Sequence, residues 1–171
     1  MTTSALGQNQ TGDSTESFES FISSISEDLL GYFLRRVAPR EGAADCLGET
    51  LLVVWRKRES LPGPADERRR WVFGVAHNVL RNHRRSTARQ LLVVNKLRDA
   101  LEASHIETTR SPDAEALLAE VRKLKPKDQD LVLLVAWDGF SLADAAQIVG
   151  IKAPAARARY SRIRRRLSGE S

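Results

Sequence analysis

Apolar residues recur every three or four positions along most of this chain, which is the spacing of one face of an α-helix. The first apolar stripe runs from Phe18 to Val37. Pro39 and Gly42 follow it, and both residue types commonly lie just beyond the end of a helix. The pattern therefore predicts a helix of about five turns near the amino end.

Two more helices are predicted in the first half of the chain, over about 43–58 and 69–85. The segment 60–67 between them contains two prolines and a glycine, which indicates a loop. The one short run that could form a strand is 91–94, and it continues a helical pattern. Since apolar and polar residues nowhere alternate between hairpin turns, the chain is predicted to be all-α.

The helical pattern fades over about 103–111 and then returns. The first residues of the chain are rich in Ser, Thr, Gly and Gln, with too little apolar surface to offset the entropy of ordering. We therefore predict two small helical domains joined by a flexible linker. The predicted parts are a disordered tail (1–17), a first domain (18–92), the linker (93–112) and a second domain (113–171).

The last two predicted helices have the features of a helix-turn-helix, in which Gly150 supplies the turn. Ser141 is a good N-cap for the short apolar helix 142–149. Pro154 would lie in the first turn of the final helix, where backbone N–H groups have no intrahelical partner, so it is compatible with a helix there. Arginines surround an apolar stripe on that helix, made of Ala156, Tyr160, Ile163 and Leu167.

A helix held by such a stripe can place its free face in the major groove of DNA. The alternative is a surface helix whose basic face is simply solvated. The turn and the matching apolar stripes favour the helix-turn-helix.

The composition is that of a globular protein with a partner of opposite charge. Of the 171 residues, 42% are hydrophobic and 29% are charged, which is enough for a packed core. The net charge of +5 favours a polyanionic partner. No signal peptide is evident and no apolar run approaches the roughly 18 residues of a membrane span, so we expect a cytoplasmic location.

Little in the sequence indicates catalysis. Cys46 is the single cysteine, which excludes a disulfide within the chain. The three histidines show no metal-ligand spacing with it, and neither a catalytic triad nor a glycine-rich phosphate loop is present. An enzyme is therefore the least supported class, and we expect no metal and no cofactor.

A second basic block contains seven arginines between 68 and 89. Trp71, Asn78 and Asn82 interleave with them, and the two asparagines share a helix face because they are four residues apart. Aromatic and basic side chains together suit contact with exposed bases and phosphates. The alternative for Trp71 and Phe73 is a place in the core.

Three motifs, taken in their order, resemble the extracytoplasmic-function sigma factors, the smallest members of the bacterial sigma-70 family. They are "DCLGETLLVVW" (45–55), "RRRWVFGVAHNVLRNHRR" (68–85) and the segment 124–167. The resemblance covers about 18–167 and implies a subunit that directs RNA polymerase to promoters.

The resemblance also implies partners and site residues. The partners are promoter DNA, an anti-sigma protein and core RNA polymerase, through the clamp helices of its largest subunit and the flap of its beta subunit. The implied polymerase-binding residues are Asp45, Gly48, Glu49, Thr50 and Leu52. The implied residues at the minus-ten element are Arg68, Arg70, Trp71, His77, Asn78, Arg81, Asn82, Arg84 and Arg85. Those implied at the minus-thirty-five element are Lys152, Ala155, Arg157, Arg159, Ser161, Arg162, Arg165 and Arg166.

Some positions depart from the family pattern. Gly48 stands where glutamine is usual, and His77 where arginine is common. Pro154 replaces a common glycine, and Ala155 and Ala158 replace residues with hydroxyl groups. Small apolar side chains suit contact with thymine methyl groups better than hydrogen bonding to bases, which predicts an atypical promoter preference.

Two rival functions fit parts of the pattern. A free-standing helix-turn-helix regulator would use the same final helix but gives no reason for the motif at 45–55. An all-helical adaptor for an acidic protein would bind DNA without sequence preference. A protein that contacts phosphates should instead lose DNA affinity steeply as salt rises.

Overall fold

The structure of the chain, a computed structural model, describes residues 10–94 and 112–168, with side chains described for 18–90 and 112–168. A short 3₁₀ helix, Arg58–Ser60, follows the second α-helix. The α-helices are α1 (Gln10–Leu34), α2 (Arg40–Arg56), α3 (Ala65–Val94), α4 (Pro112–Arg122), α5 (Pro126–Ala136), α6 (Leu142–Val149) and α7 (Ala153–Leu167). The described ranges contain no strand, which confirms the predicted all-α class.

Helix α1 begins earlier than the sequence pattern predicts. It starts at Gln10, so residues 10–17, which we assigned to a disordered tail, are helical. The assignment was wrong for these residues because it considered only their lack of apolar surface. Residues 1–9 lie outside the described part of the chain.

Helix α3 is longer than predicted at both ends. It begins at Ala65, with Asp66 and Glu67 in its first turn, so the predicted loop 60–67 is shorter than expected. It continues to Val94 and includes the run 91–94 considered as a strand. Most of the predicted linker lies outside the described residues, so the proposed domain boundaries stay a prediction.

The contacts divide the chain into two compact units, one through Leu80 and one from Arg81. The first unit is built around an aromatic centre in which Tyr32, Phe33 and Phe73 have no exposed surface. The Tyr32 ring meets Phe33 and Phe73 edge-on, with centroids 5.1 and 5.4 Å apart. Each such pair contributes about 0.5–1.5 kcal/mol beyond its buried area, so this centre fixes α1 against α3.

The second unit contains a core that holds the final helix. Five buried residues from three helices form it: Leu118, Val121, Val132, Leu133 and Ile163. Tyr160 and Leu167 of α7 pack against this cluster, and Ala156 is fully buried. The apolar stripe predicted on α7 is thus the face that the helix buries.

Local signals set the ends of α6 and α7 as predicted. The Ser141 hydroxyl accepts a hydrogen bond from the Asp144 N–H at 3.1 Å and so caps α6. Gly150 ends α6 with φ at +73°, a left-handed conformation that favours glycine. Helix α7 begins at Ala153, which places Pro154 in its first turn. The helix-turn-helix is therefore present in the second unit.

Replacing Gly150 tests the turn of the helix-turn-helix. We expect Gly150→Ala to lower the free energy of unfolding by about 1–2 kcal/mol, because alanine is strained at this positive φ. Thermal unfolding followed by circular dichroism measures the loss.

Gly48→Ala is the matched control, since Gly48 lies inside α2 and an added Cβ would meet no atom within 4 Å. It should gain up to about 1 kcal/mol from helix propensity. Equal effects of the two substitutions would contradict the assignment of a strained turn.

Candidate nucleic-acid and partner interfaces

The outer face of α7 is strongly basic. Because the stripe through Ala156 and Ile163 faces the core, the remaining faces of the helix are left at the surface. The residues implied at the minus-thirty-five element that lie exposed are Lys152, Ala155, Arg157, Ser161, Arg162, Arg165 and Arg166. The first turn of α7 contains no acidic residue, so nothing on this turn repels a polyanion.

Arg159 does not belong to this exposed set. Its Nη1 donates to Asp128 Oδ1 of α5 at 2.8 Å, and its side chain is 38% exposed. The pair braces α7 against the start of α5, so Arg159 supports the helix from the side.

A shallow cavity lies beside the start of α6 and carries three guanidinium groups. Its lining consists of Leu142, Arg157, Tyr160, Ser161, Arg164 and Arg165. Positive charge around such a cleft suits a phosphate group. Arg164 and Arg165 at this cavity are therefore suited to contact a nucleic-acid backbone.

The second candidate surface is a stripe along α3. Asn78, Arg81, Asn82 and Arg85 are exposed, and their spacing of three and four residues places them on one side of the helix. Trp71 lies on the same side, two turns towards the amino end, and is half-buried. This part of the predicted minus-ten set therefore forms one continuous polar and basic surface.

His77 does not lie on that surface. It is 4% exposed, and its Nδ1 is 3.4 Å from the hydroxyl of Tyr32. The helical register explains this position, because His77 follows the buried Phe73 by four residues and shares its inward face. The sequence predicted that His77 contacts DNA, but its side chain is buried in the core beside the Tyr32 hydroxyl.

Arg68 holds the loop before α3. Its Nε donates to the Pro62 carbonyl at 3.0 Å and its Nη2 to the Gly63 carbonyl at 2.7 Å. The guanidinium also lies over the ring of Phe21, 5.2 Å from its centroid. Arg68 therefore shapes the loop, whereas Arg70 is half-buried at the beginning of the α3 surface.

Arg84 is engaged by a buried carboxylate. Its Nη1 and Nη2 donate to the two carboxylate oxygens of Asp130 on α5, at 2.8 and 3.0 Å. The Asp130 side chain is 2% exposed and that of Arg84 is 27% exposed. A buried carboxylate needs such a bidentate partner, so Arg84 stabilises the second unit and is not part of the exposed stripe.

The predicted polymerase-binding residues lie mostly on one exposed face of α2. Asp45, Gly48, Glu49 and Leu52 are exposed, whereas Thr50 is fully buried. The Thr50 hydroxyl donates to the Cys46 carbonyl at 2.8 Å. Thr50 is therefore a core residue, and the structure does not bring it to this face.

Trp55 belongs to the same exposed face of α2. It is 45% exposed, and Leu52 is 47% exposed. The ring of Phe18 contacts it edge-on at 5.5 Å, and the Arg58 guanidinium lies 4.8 Å from its centroid. The exposure of Trp55 could have been predicted from helical spacing. Trp55 lies on one face with Ala44, Gly48 and Leu52, and that face differs from the one formed by the buried residues of α2.

Cys46 lies in the core of the first unit. Burial, with the nearby carboxylates of Glu49 and Asp45 adding to it, raises the pKa of the Cys46 thiol from 9.0 to about 11. The neutral thiol therefore predominates at neutral pH, so Cys46 is poorly suited to act as a nucleophile.

In the described part of the chain, no group of three His, Cys, Asp or Glu side chains is placed to hold a metal ion. None of the helices there is long and apolar enough to cross a membrane.

Family models match both parts of the chain. The model for sigma-70 region 2 matches residues 14–90, and the model for sigma-70 region 4 matches residues 114–167. The first match contains the exposed surfaces of α2 and α3, and the second contains the helix-turn-helix.

Two curated proteins are similar over most of this chain. The ECF RNA polymerase sigma factor BldN of Streptomyces coelicolor is 27% identical over 143 residues, which cover 79% of this chain and 53% of that protein. The RNA polymerase sigma factor YlaC of Bacillus subtilis is 24% identical over 140 residues, covering 79% of this chain and 80% of that protein. The chain thus spans about half the length of the first relative.

Two solved structures have the same fold. The sigma factor RpoE of Bartonella quintana, in complex with the anti-sigma factor NepR, gives a TM-score of 0.74 at 22% identity, covering 91% of this chain and 96% of that chain. CnrH, in complex with the cytosolic domain of CnrY, gives a TM-score of 0.63 at 19% identity, covering 91% of this chain and 87% of that chain.

The ion pair of Arg84 gives a stability test. We expect Arg84→Ala to lower the free energy of unfolding by about 3 kcal/mol, because it leaves the carboxylate of Asp130 buried without its guanidinium. Arg85→Ala is the control, since Arg85 is the exposed neighbour and should change stability by less than about 0.5 kcal/mol.

The double variant Arg84→Ala/Asp130→Leu should recover most of that stability, because no buried charge remains in it. Urea unfolding of the variants measures each change. A double variant no more stable than Arg84→Ala would contradict the role given to the pair.

The raised pKa of Cys46 predicts its reactivity. At pH 8 the folded chain should react with a disulfide reagent at least about a hundredfold more slowly than the chain unfolded in guanidinium chloride, because the thiol is both buried and neutral. The absorbance of the released thiolate follows the reaction.

The same pKa fixes the sign of a pH dependence. The stability that Cys46 contributes is complete below about pH 9 and is lost as the pH rises towards 11, since only the folded state keeps the thiol protonated there. Cys46→Ala should lack this part of the alkaline loss. Identical alkaline profiles, or equal thiol reactivity in the folded and unfolded chains, would refute the assignment.

Proposed function

Because the chain belongs to the sigma-70 family and has the region 2 and region 4 arrangement of its extracytoplasmic-function members, we propose that it is a promoter-specificity subunit of bacterial RNA polymerase. The observation that carries the proposal is the presence of an exposed basic surface in each matched region, on α3 and on α7. Two such surfaces on one chain suit two separate promoter elements.

The α2 face is the proposed docking surface for core polymerase. It combines an apolar stripe, ending in Leu52 and Trp55, with the exposed carboxylates of Asp45 and Glu49. Large apolar side chains that remain exposed on a helix commonly mark a protein interface. Such a face fits a helical partner with an apolar seam and a basic flank, which is the role we give to the clamp helices of the largest polymerase subunit.

The α3 surface is proposed to bind the minus-ten element. Asn78 and Asn82 can pair with base edges, and Arg81 and Arg85 can neutralise phosphates. The loop that Arg68 holds would receive a base turned out of the duplex, a step that costs a few kcal/mol. For this step the protein provides the loop held by Arg68 and the exposed basic residues Arg81 and Arg85.

The α7 surface is proposed to bind the minus-thirty-five element in the major groove. Arg157 and Arg162 would lie nearest the bases, while Arg165 and Arg166 would contact phosphates. Arg159 supports the helix from the side through Asp128. We further propose that the second domain contacts the flap of the beta subunit.

The proposed activity needs binding alone, without a catalytic group of this chain. It would take place in the cytoplasm, where core polymerase works. The similar structures were solved with an anti-sigma factor and with a cytosolic partner domain, so we propose that an anti-sigma protein also binds this chain.

The rival is a helix-turn-helix regulator that binds DNA without polymerase. It explains α7 but gives no use for the exposed apolar stripe on α2. The two functions therefore differ in whether the α2 face is needed.

Substitutions on α2 test the docking proposal. We expect Glu49→Arg and Leu52→Ala each to weaken binding of the chain to core polymerase at least tenfold, because one reverses a charge and the other removes an exposed apolar contact. Titration of fluorescent chain with core polymerase measures the affinity.

Glu59→Arg is the matched control, since it reverses an exposed charge just beyond α2. It should bind core polymerase like the unchanged chain. If Glu49→Arg and Leu52→Ala also bind unchanged, the α2 face is not the docking surface and the rival function is favoured.

A further inference from the structure

The outward face of α7 is divided along its length. Near the amino end it presents Pro154, Ala155 and Ala158, which are all exposed and offer no side-chain hydrogen-bond donor. Further along the same side come Arg162 and Arg165, which are exposed donors. A partner in contact with this face therefore meets Pro154, Ala155 and Ala158 first, with Arg157 exposed on the flank beside them, and the donors Arg162 and Arg165 second.

The division follows from which face α7 turns towards the core. Ala155, Ala158 and Arg162 recur at three and four residues, so they share a face. The buried Ala156 and Ile163 lie on the opposite side, where α7 is packed into the core. The two alanines are exposed because the core fixes the helix in this orientation, not because the helix end is frayed.

In the major groove these two halves recognise different groups. Small apolar side chains contact the C5-methyl of thymine, and arginine pairs with O6 and N7 of guanine. We infer that Ala155 and Ala158 select thymine methyl groups in one half of the minus-thirty-five element, and that Arg162 selects a guanine in the other half. This inference rests on the proposed function, because it needs α7 to lie in a major groove.

The spacing of the two halves is also set by the helix. Seven residues separate Ala155 from Arg162, which is about 10 Å at 1.5 Å per residue. That distance corresponds to about three base-pair steps of 3.4 Å. The methyl-dependent positions should therefore lie about three base pairs from the guanine.

Removal of single methyl groups from the promoter tests the inference. The holoenzyme, made from the full chain and core polymerase, first selects promoters from a randomised library. Each thymine of the selected minus-thirty-five element is then replaced by deoxyuridine, which lacks only the methyl group. We expect binding to weaken about fourfold at each contacted thymine, the worth of one buried methyl. Deoxyuridine in the spacer between the elements is the control and should have no effect.

A protein variant supplies the second half of the test. Ala158→Asn should remove the methyl dependence at one position and select adenine there, because asparagine pairs with N6 and N7 of adenine. Ala119→Asn, on an exposed position of α4, is the matched control and should leave the selected sequence unchanged. Thermal unfolding of both variants establishes that they are folded.

The outcomes separate the two claims. A library with no selected sequence would overturn the proposed function itself. Selected promoters whose affinity is unchanged by deoxyuridine throughout the element would overturn the assignment of Ala155 and Ala158 alone. Loss confined to thymines about three base pairs from a required guanine, and altered by Ala158→Asn, would support it.

Discussion

The packing of Ile163 against Val132 and Leu133 determines what α7 offers to a partner. Side chains project from a helix in fixed directions relative to one another, so the face that the helix buries decides which residues it exposes. With Ala156 and Ile163 in the core, every arginine of α7 except Arg159, together with Ala155 and Ala158, is exposed. The same constraint acts on α2, where burial of Cys46, Thr50 and Val54 leaves Leu52 and Trp55 exposed.

The charged residues serve two different purposes in the folded chain. Some hold the fold together: Arg68 ties a loop, Arg84 neutralises a buried carboxylate and Arg159 braces α7. Others, such as Arg85 and Arg162, are exposed on surfaces without a comparable structural role in the described contacts. Basic residues that are near one another in sequence therefore differ in function according to the helix face on which they lie.

The parts of the fold with strong local signals could be predicted from the sequence. Ser141, Gly150 and Pro154 fix the ends of α6 and α7 through capping, a left-handed turn and a tolerated first-turn proline. Weaker signals gave poorer results. Helix α3 continues beyond residue 85, but the residues that follow directly are mostly polar. Apolar periodicity therefore could not predict this extension, although the residue types there favour a helix.

The candidate site was predicted less completely, because burial of a polar residue cannot be inferred from its type. Thr50 bonds to the backbone of its own helix, and His77 lies beside Tyr32, so both are satisfied in the core. The partner of Arg84 lies 46 residues away, beyond any local pattern. Trp55 is 45% exposed, a position that its spacing from Gly48 and Leu52 indicates but its residue type does not.

The central claim is that this chain gives core RNA polymerase its choice of promoter. Run-off transcription from a promoter library, with core polymerase alone and with the chain added, tests that claim most directly. We expect the chain to cause initiation from a small subset of templates that share two short elements. Initiation without sequence preference, or no initiation beyond that of core polymerase alone, would contradict the account.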